Sequence, residues 1–198
     1  MEKLRDVGEI VIDSGQIISR VIADKNRGDE VVAPQVKTIV AKTVAKGYID
    51  DENLVINDYK TKLDDKRLTK EGDIVFKLSS PYSAALIDKT HEGLFVSSFC
   101  SIIRNVPKEL DKDYLVAYLN SEECQIKLNE SISGRSGMGL NIVSNGKLFD
   151  LELPIPKAKE QKEIGEYFNR TVQNKITIEK IQKLEEEKLS TMIANIKE

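Results

Sequence analysis

The chain has 198 residues, 40% hydrophobic and 32% charged, with a formal net charge of −3. That length holds one core of about 100 to 150 residues plus an appendage, and no apolar run approaches the roughly 20 residues that span a bilayer, so a membrane role is not expected. The opening "MEKLRDVGEI" has no apolar signal core, and Cys100 and Cys124 lack disulfide-framework or metal-ligand spacing, which points to a cytoplasmic protein with reduced thiols.

From residue 1 to 156 short β-rich runs alternate with turn residues: "EIVIDSG", "EVVAP", "GDIVFKL", "GLFVSSFCSIIR" and "LELPIP". Between the first two runs and just beyond them lies the richest basic stretch. Arg20, Lys25 and Arg27 stand upstream, and Lys37, Lys42 and Lys46 fall between Pro34 and Gly47 with no acidic residue among them. Gln35, Thr38 and Thr43 add neutral hydrogen-bonding groups, a mixture suited to phosphate anchoring with base-edge reading and equally found on an ordinary solvated surface. The net charge does not decide between the two, because phosphate contact depends on local clustering.

His91 is the only histidine and lies in the turn-like "DKTHEGLF", so neither a histidine pair for a metal nor a catalytic dyad exists. Neither cysteine has the neighbouring signature of a nucleophile. Around residues 108 to 131, Tyr114, Leu115, Tyr118, Leu119 and Ile126 fall near one face at helical spacing, a helical pattern between the strands. The glycine-rich "SGRSGMGLN" at 133 to 141 is not a dinucleotide or P-loop pattern. Two readings stay open for it: a loop whose glycines permit positive φ, or a backbone that approaches a phosphate with Arg135 supplying charge.

The stretch "LFDLELPIPKAKEQKEIGEYF" sets the boundary. Pro154 and Pro156 cannot continue a strand ladder and bias the residues before them away from helix, so the strand ends there and a helix begins beyond. Residues 157 to 198 hold one glycine, no proline and many good helix formers. The expected division is therefore a mixed α and β domain over residues 1–156 and one long helix over 157–198, an α+β architecture. Along that helix Ile164, Phe168, Val172, Ile176, Ile178, Ile181, Leu184, Leu189, Met192, Ile193 and Ile196 recur with a period near 3.6. A rod of about 57 Å outruns a domain some 30 to 40 Å across. Part of the stripe is thus expected to pack on another helix, with Phe168, Val172, Ile178, Ile181, Leu184, Leu189, Met192 and Ile196 as the seam. The bland alternative is a helix folded back over its own core.

"LFDLELPIPKAKEQKEI" resembles the closing pattern of a recognition domain in the specificity subunits of type I restriction–modification systems, carried by Leu148, Leu151, Pro154, Pro156, Glu160, Gln161 and Ile164. Other segments are similar to the family in order. These are "VGEIVIDSGQ", "VVAPQVKTIVAKTVAKGYID", "LTKEGDIVFKLSS", "YLVAYLNSEECQ" and "GRSGMGLNIVSNGKL". One departure is "SSPYSAALI", which lacks the glycines usual after the Gly-Asp-Ile strand.

The resemblance, to a half-length form with a single target-recognition domain, implies a non-catalytic protein that binds double-stranded DNA. It further implies a homodimer through the long helix on a split inverted-repeat site, or pairing with a different half subunit on an asymmetric one. The implied partners are a modification subunit that methylates adenine with S-adenosylmethionine, and in some systems a restriction subunit, with no cofactor on this chain. Candidate DNA contacts are Arg20, Lys25, Arg27, Lys37, Lys42, Lys46 and Arg135 for phosphates or base edges, with Gln35, Asn141, Ser79 and Tyr82 as further readers. Two competitors remain: a scaffold that displays the long amphipathic helix without binding DNA, and a small enzyme assembled around His91 and Cys100.

Overall fold

A computed structural model describes residues 1–132 and 141–196, with Lys25 described in its backbone alone. The chain runs through β1 (Glu2–Lys3), β2 (Val11–Ser14), α1 (Ile18–Val21), β3 (Ala33–Ile39), β4 (Val55–Tyr59), β5 (Ile74–Lys77), β6 (Ser83–Leu86), β7 (Phe95–Val96) and β8 (Cys100–Arg104). Then come α2 (Lys112–Leu119), α3 (Glu122–Ile132), α4 (Asn145–Phe149), β9 (Glu152–Leu153) and α5 (Ala158–Asn195). This is a mixed α and β fold with one long C-terminal helix.

"GDIVFKL" becomes β5, an inner strand of an antiparallel sheet ordered β2-β8-β5-β6. Its side chains alternate between two apolar clusters, Ile74 and Phe76 on one face and Val75 on the other, so the sheet is covered on both sides. The first face packs on α2 through Tyr114, Leu115, Tyr118 and Leu119. The second meets a smaller sheet ordered β4-β3-β7, in which β3 is antiparallel to β4 and parallel to β7. β1 pairs with β9, tying the start of the chain to the segment that leads into α5.

Three features hold this frame. Arg104 on β8 donates to Asp13 on β2 (2.7 Å), to Asp73 just before β5 (3.0 Å) and to the carbonyls of Lys66 and Leu68. All three nitrogens of a largely buried guanidinium are thereby engaged, so removal of one carboxylate would leave its charge poorly compensated. The outer edge of β6 is closed by amides from the helices. Asn120 holds both backbone groups of Ala84 at 3.1 and 2.9 Å, and Gln125 holds those of Tyr82 at 2.9 and 3.1 Å. This protects an edge strand that would otherwise offer free hydrogen bonds.

The Asn120 contact also explains why the helical pattern around 108 to 131 forms two helices. Asn120 caps α2, its side chain engaged with Ala84 and with the Val116 carbonyl, and the chain restarts as α3 two residues later. "GLFVSSFCSIIR" likewise is two strands with a tight turn between, because Ser97 bonds both to Ile39 and to Cys100.

The prolines act as the sequence predicts. β9 ends at Leu153, and the Pro154 carbonyl accepts from the Tyr114 hydroxyl (2.6 Å) in place of a strand partner. The first turn of α5 is closed by Glu160, which accepts from the Lys157 N–H at 3.1 Å. Gln161 is buried, its carbonyl taking the Asp111 N–H (2.7 Å) while its amide donates to Glu109 and Pro156. At Gly165 a Cβ would stand 2.8 Å from that of Asp113, so only glycine lets α5 and α2 approach this closely.

α5 spans 38 residues, about 57 Å. Val172 is buried and Phe168 half-buried, both against Gly47. These two residues therefore serve the chain's own core, which corrects their assignment to an intermolecular seam. Among the described residues the last hydrogen bonds to the domain are Tyr48 to Glu179 (3.3 Å) and Lys183 to Glu52 (2.6 Å). Beyond them every side chain through residue 196 is exposed, Leu184, Leu189, Met192 and Ile196 included. No helix among the described residues is long and apolar enough to cross a membrane.

Candidate nucleic-acid interface

The predicted DNA contacts fall into separate places. Lys37 is exposed two residues before β3 ends, opposite Ile56 and beside Asp51 and Thr90, whereas Arg20, Arg27 and Gln35 are exposed beside the start of β3 and its neighbour β4. There the chain around α1 is held to β4 by Ala23 to Asp58 and Lys60 to Val21. Gln35 sits at a β-bulge with φ +53, its N–H given to Asp58 at 2.9 Å. Such bulges re-aim a side chain, and here the Gln35 amide also leans on Asp58.

The positive charge of this end is offset. Arg27 pairs with Asp24 (3.2 Å) and Lys60 with Asp29 (3.1 Å). The Asp29 carboxyl is held below its ordinary range by the Asp24 backbone N–H and by Lys60. The backbone of Lys25 lies in the same turn.

Lys42 lies at the other end of β3, roughly 20 Å away along the strand. Because β3 and β7 run parallel and Ser97 donates to Ile39 at 2.9 Å, the segments that follow both strands emerge together. Ser79 and Asn141 also meet, since Ser79 faces Ile142 across an antiparallel bridge and the Ser80 N–H donates to Asn141 at 3.1 Å. Leu78 joins the two groups: its N–H goes to Phe99 and its carbonyl accepts from Val143, both at 2.9 Å. Lys46, by contrast, occupies a turn beside Gly47, which abuts α5. Lys42 and Lys46, adjacent in the basic stretch, therefore belong to different surroundings.

Two assignments need separate mention. Tyr82 is 0% exposed, stacked on Phe76 in the core with centroids 6.1 Å apart, so it does not present itself to a duplex. Arg135 lies outside the described residues.

Three side chains at the Lys42 end are ones that the basic pattern does not single out. Phe99 is 46% exposed at the tip of the β7–β8 turn, Ile142 is 42% exposed, and Lys77 is half-buried with no acidic partner among the described residues. Burial lowers the Lys77 ammonium below its ordinary range, partly countered by Cys100. A lone lysine among β-branched and serine residues carries little sequence signal, which is why composition missed it.

An enzyme centred on His91 and Cys100 finds no support. His91 is clamped between Asp88 (2.8 Å) and Asp51 (3.3 Å) beside α5, where it fastens two turns together. Asp88 is partly desolvated, yet hydrogen bonds from Thr90 and His91 leave its carboxyl below the usual range. Cys100 is sealed in the core and burial pushes its thiol up to about 12, so no thiolate nucleophile forms at neutral pH. Among the described residues no three His, Cys, Asp or Glu side chains converge as a metal site.

Residues 1–187 match the family described as the type I restriction modification DNA specificity domain. Solved structures share the fold. A chain from a study of complex assembly and conformational transition of the type I R-M system superimposes with TM-score 0.59 at 14% identity, over 96% of this chain and 42% of that one. The HsdS subunit from Thermoanaerobacter tengcongensis gives TM-score 0.56 at 13% identity, over 88% and 44%. The type IIG restriction endonuclease BpuSI gives 0.57 at 9%, over 85% and 26%. The chain thus spans less than half the length of each of these. No curated protein matches it by sequence.

Proposed function

The chain belongs to the family of type I restriction modification DNA specificity domains, and from that premise we propose that it is the DNA-reading part of a restriction–modification assembly, supplying address and no chemistry of its own. The family match over residues 1–187 is the observation that carries this reading. Its expected partners are double-stranded DNA and a modification subunit that brings S-adenosylmethionine to adenine, joined in some assemblies by a restriction subunit. Methyl transfer to a base requires that base outside the stack, so methyltransferase and specificity domain would hold the duplex together, and isolated binding would be weak and salt-sensitive.

The exposed apolar stripe from Ile178 to Ile196 supports association through α5. In a homodimer a two-fold axis would place two identical domains on an inverted, interrupted site. The test is selection of a randomised duplex library by the purified protein together with the methyltransferase subunit of its own operon, followed by sequencing of the bound pool. An inverted split motif is the expected result. An asymmetric split motif would replace the homodimer with a mixed pair, and no enrichment from an intact complex would overturn DNA reading in favour of a helix-displaying scaffold.

A further inference from the structure

The end of the sheets where β3, β5 and β7 terminate is assembled from five segments far apart in sequence. Gly15 and Gln16 donate to Cys100 and Val96 (3.0 and 2.9 Å), and Ser98 donates back to Gln16 (2.8 Å). Residues 97–99 join Ile39 and Leu78, and Leu78 and Ser80 join 141–143, as described above. Asn145 closes the ring by bridging Ser14 (2.9 Å) and Ser101 (2.6 Å), while Ser83 holds the Val44 carbonyl at 2.6 Å. Gly15 must be glycine, since a Cβ there would overlap the Ser97 carbonyl.

The composition of this rim is unusual for the chain. Acidic residues number 33 of 198, yet none occurs in 14–17, 40–47, 77–81, 96–101 or 141–147. The same segments carry Lys42 and Lys77, several serine hydroxyls, and the exposed apolar side chains Ile17, Phe99 and Ile142, whereas Lys46 stands next to Gly47 against α5 and Lys147 beside Asp150 and Glu152. Lysines, hydroxyl groups, and an aromatic ring held at the tip of a tight turn together match a surface that meets phosphates at its edge and base edges at its centre, with the acidic 50–52 turn joined to the Lys42 turn by the Asp50 N–H to Thr43 bond. At the opposite end of β3, Arg27 and Lys60 are tied to Asp24 and Asp29.

Resting on the DNA-reading function above, we propose that this rim is the part of the domain that meets the bases, with Phe99 in apolar contact with a base and Lys77 and Lys42 on flanking phosphates. Phe99 is then a specificity-determining residue. Its backbone is fixed by the Leu78 bond, so the ring is positioned before DNA arrives and little ordering is lost on binding.

The test repeats the library selection with the full chain and its methyltransferase, using wild type, Phe99→Ala and Lys77→Met. Thermal melts serve to confirm that each variant is folded, and the methionine keeps the half-buried stem of residue 77. Phe99→Ala should lower affinity for the wild-type motif about tenfold and erase preference at one or two adjacent positions of the half-site. Lys77→Met should weaken binding to all sequences alike, keep the motif and reduce the salt slope by about one. A wild-type motif retained at full affinity by both folded variants would overturn the rim and leave the DNA reading standing. No motif with wild type would overturn both. Should Lys77→Met unfold the protein, Lys42→Ala on the exposed turn provides the same slope measurement.

Discussion

The two halves of α5 are built from the same kinds of residue and meet opposite fates. Up to Ile176 the helix is anchored on the chain's own domain, with Gln161 and Gly165 buried against the start of α2 and Val172 against Gly47, while Ile164 and Tyr167 stay exposed. From Ile178 onward the stripe continues and is left open, Ile178 at 55% and Leu184 at 63% exposure. A periodic pattern thus specifies that a face needs cover, and geometry decides who provides it. The first half fixes where the helix points, and the second half has a free face because its direction carries it past the domain edge.

The strongest way to break that contrast is at the anchored half. Gln161→Leu should destabilise the fold by about 3 kcal/mol, because it strands the Asp111 N–H and two carbonyls in a buried site. Denaturant unfolding at constant slope measures it, and a change within error would mean that Gln161 does not anchor the helix.

On the free half, Ile178→Glu or Leu189→Glu should leave domain stability within about 0.5 kcal/mol, since both side chains are exposed in the single chain. Either should nevertheless split a homodimer by placing an unpaired charge in its seam. Light scattering that still reports the dimer mass would place the interface elsewhere, the groove between α2 and α5 around Ile164 and Tyr167 being the next surface to mutate.

The smallest effect is expected at the boundary between the halves. The Glu52 hydrogen bond raises the Lys183 pKa. Its contribution is therefore present below the ordinary lysine pKa of about 10.4 and lost as pH rises through the raised value. Lys183→Ala should flatten the alkaline limb of a melting profile at low ionic strength and do nothing visible at high salt. An unchanged alkaline limb would show that the contact does not hold the helix to the domain in solution.

Much of this molecule was legible in one dimension. Pro154 and Pro156 announce the start of α5 because a missing N–H and a fixed φ act locally. The apolar run in "GDIVFKL" announces a strand, and the Glu160–Gln161 pair belongs to a pattern whose structural purpose the buried amide explains. Asn120 was not legible as a break, because its reason for ending α2 is Ala84, 36 residues away. Tyr82 read as polar and accessible by type, yet its ring is buried in the core.

The sequence by itself determined the α+β class, the start of α5 near residue 157, the length of α5 and the family, all of which depend on neighbours within a turn or on an ordered run of motifs. Only the tertiary structure decided that Phe168 and Val172 serve the chain's own core, that Lys42 and Lys46 part company, and that Phe99 and Asn141 belong to one rim. Those outcomes hang on single hydrogen bonds between remote strands, such as Ser97 to Ile39 and Leu78 to Phe99. Hydrophobic period and charge describe what each segment can bury or expose, whereas strand register fixes which segments end side by side.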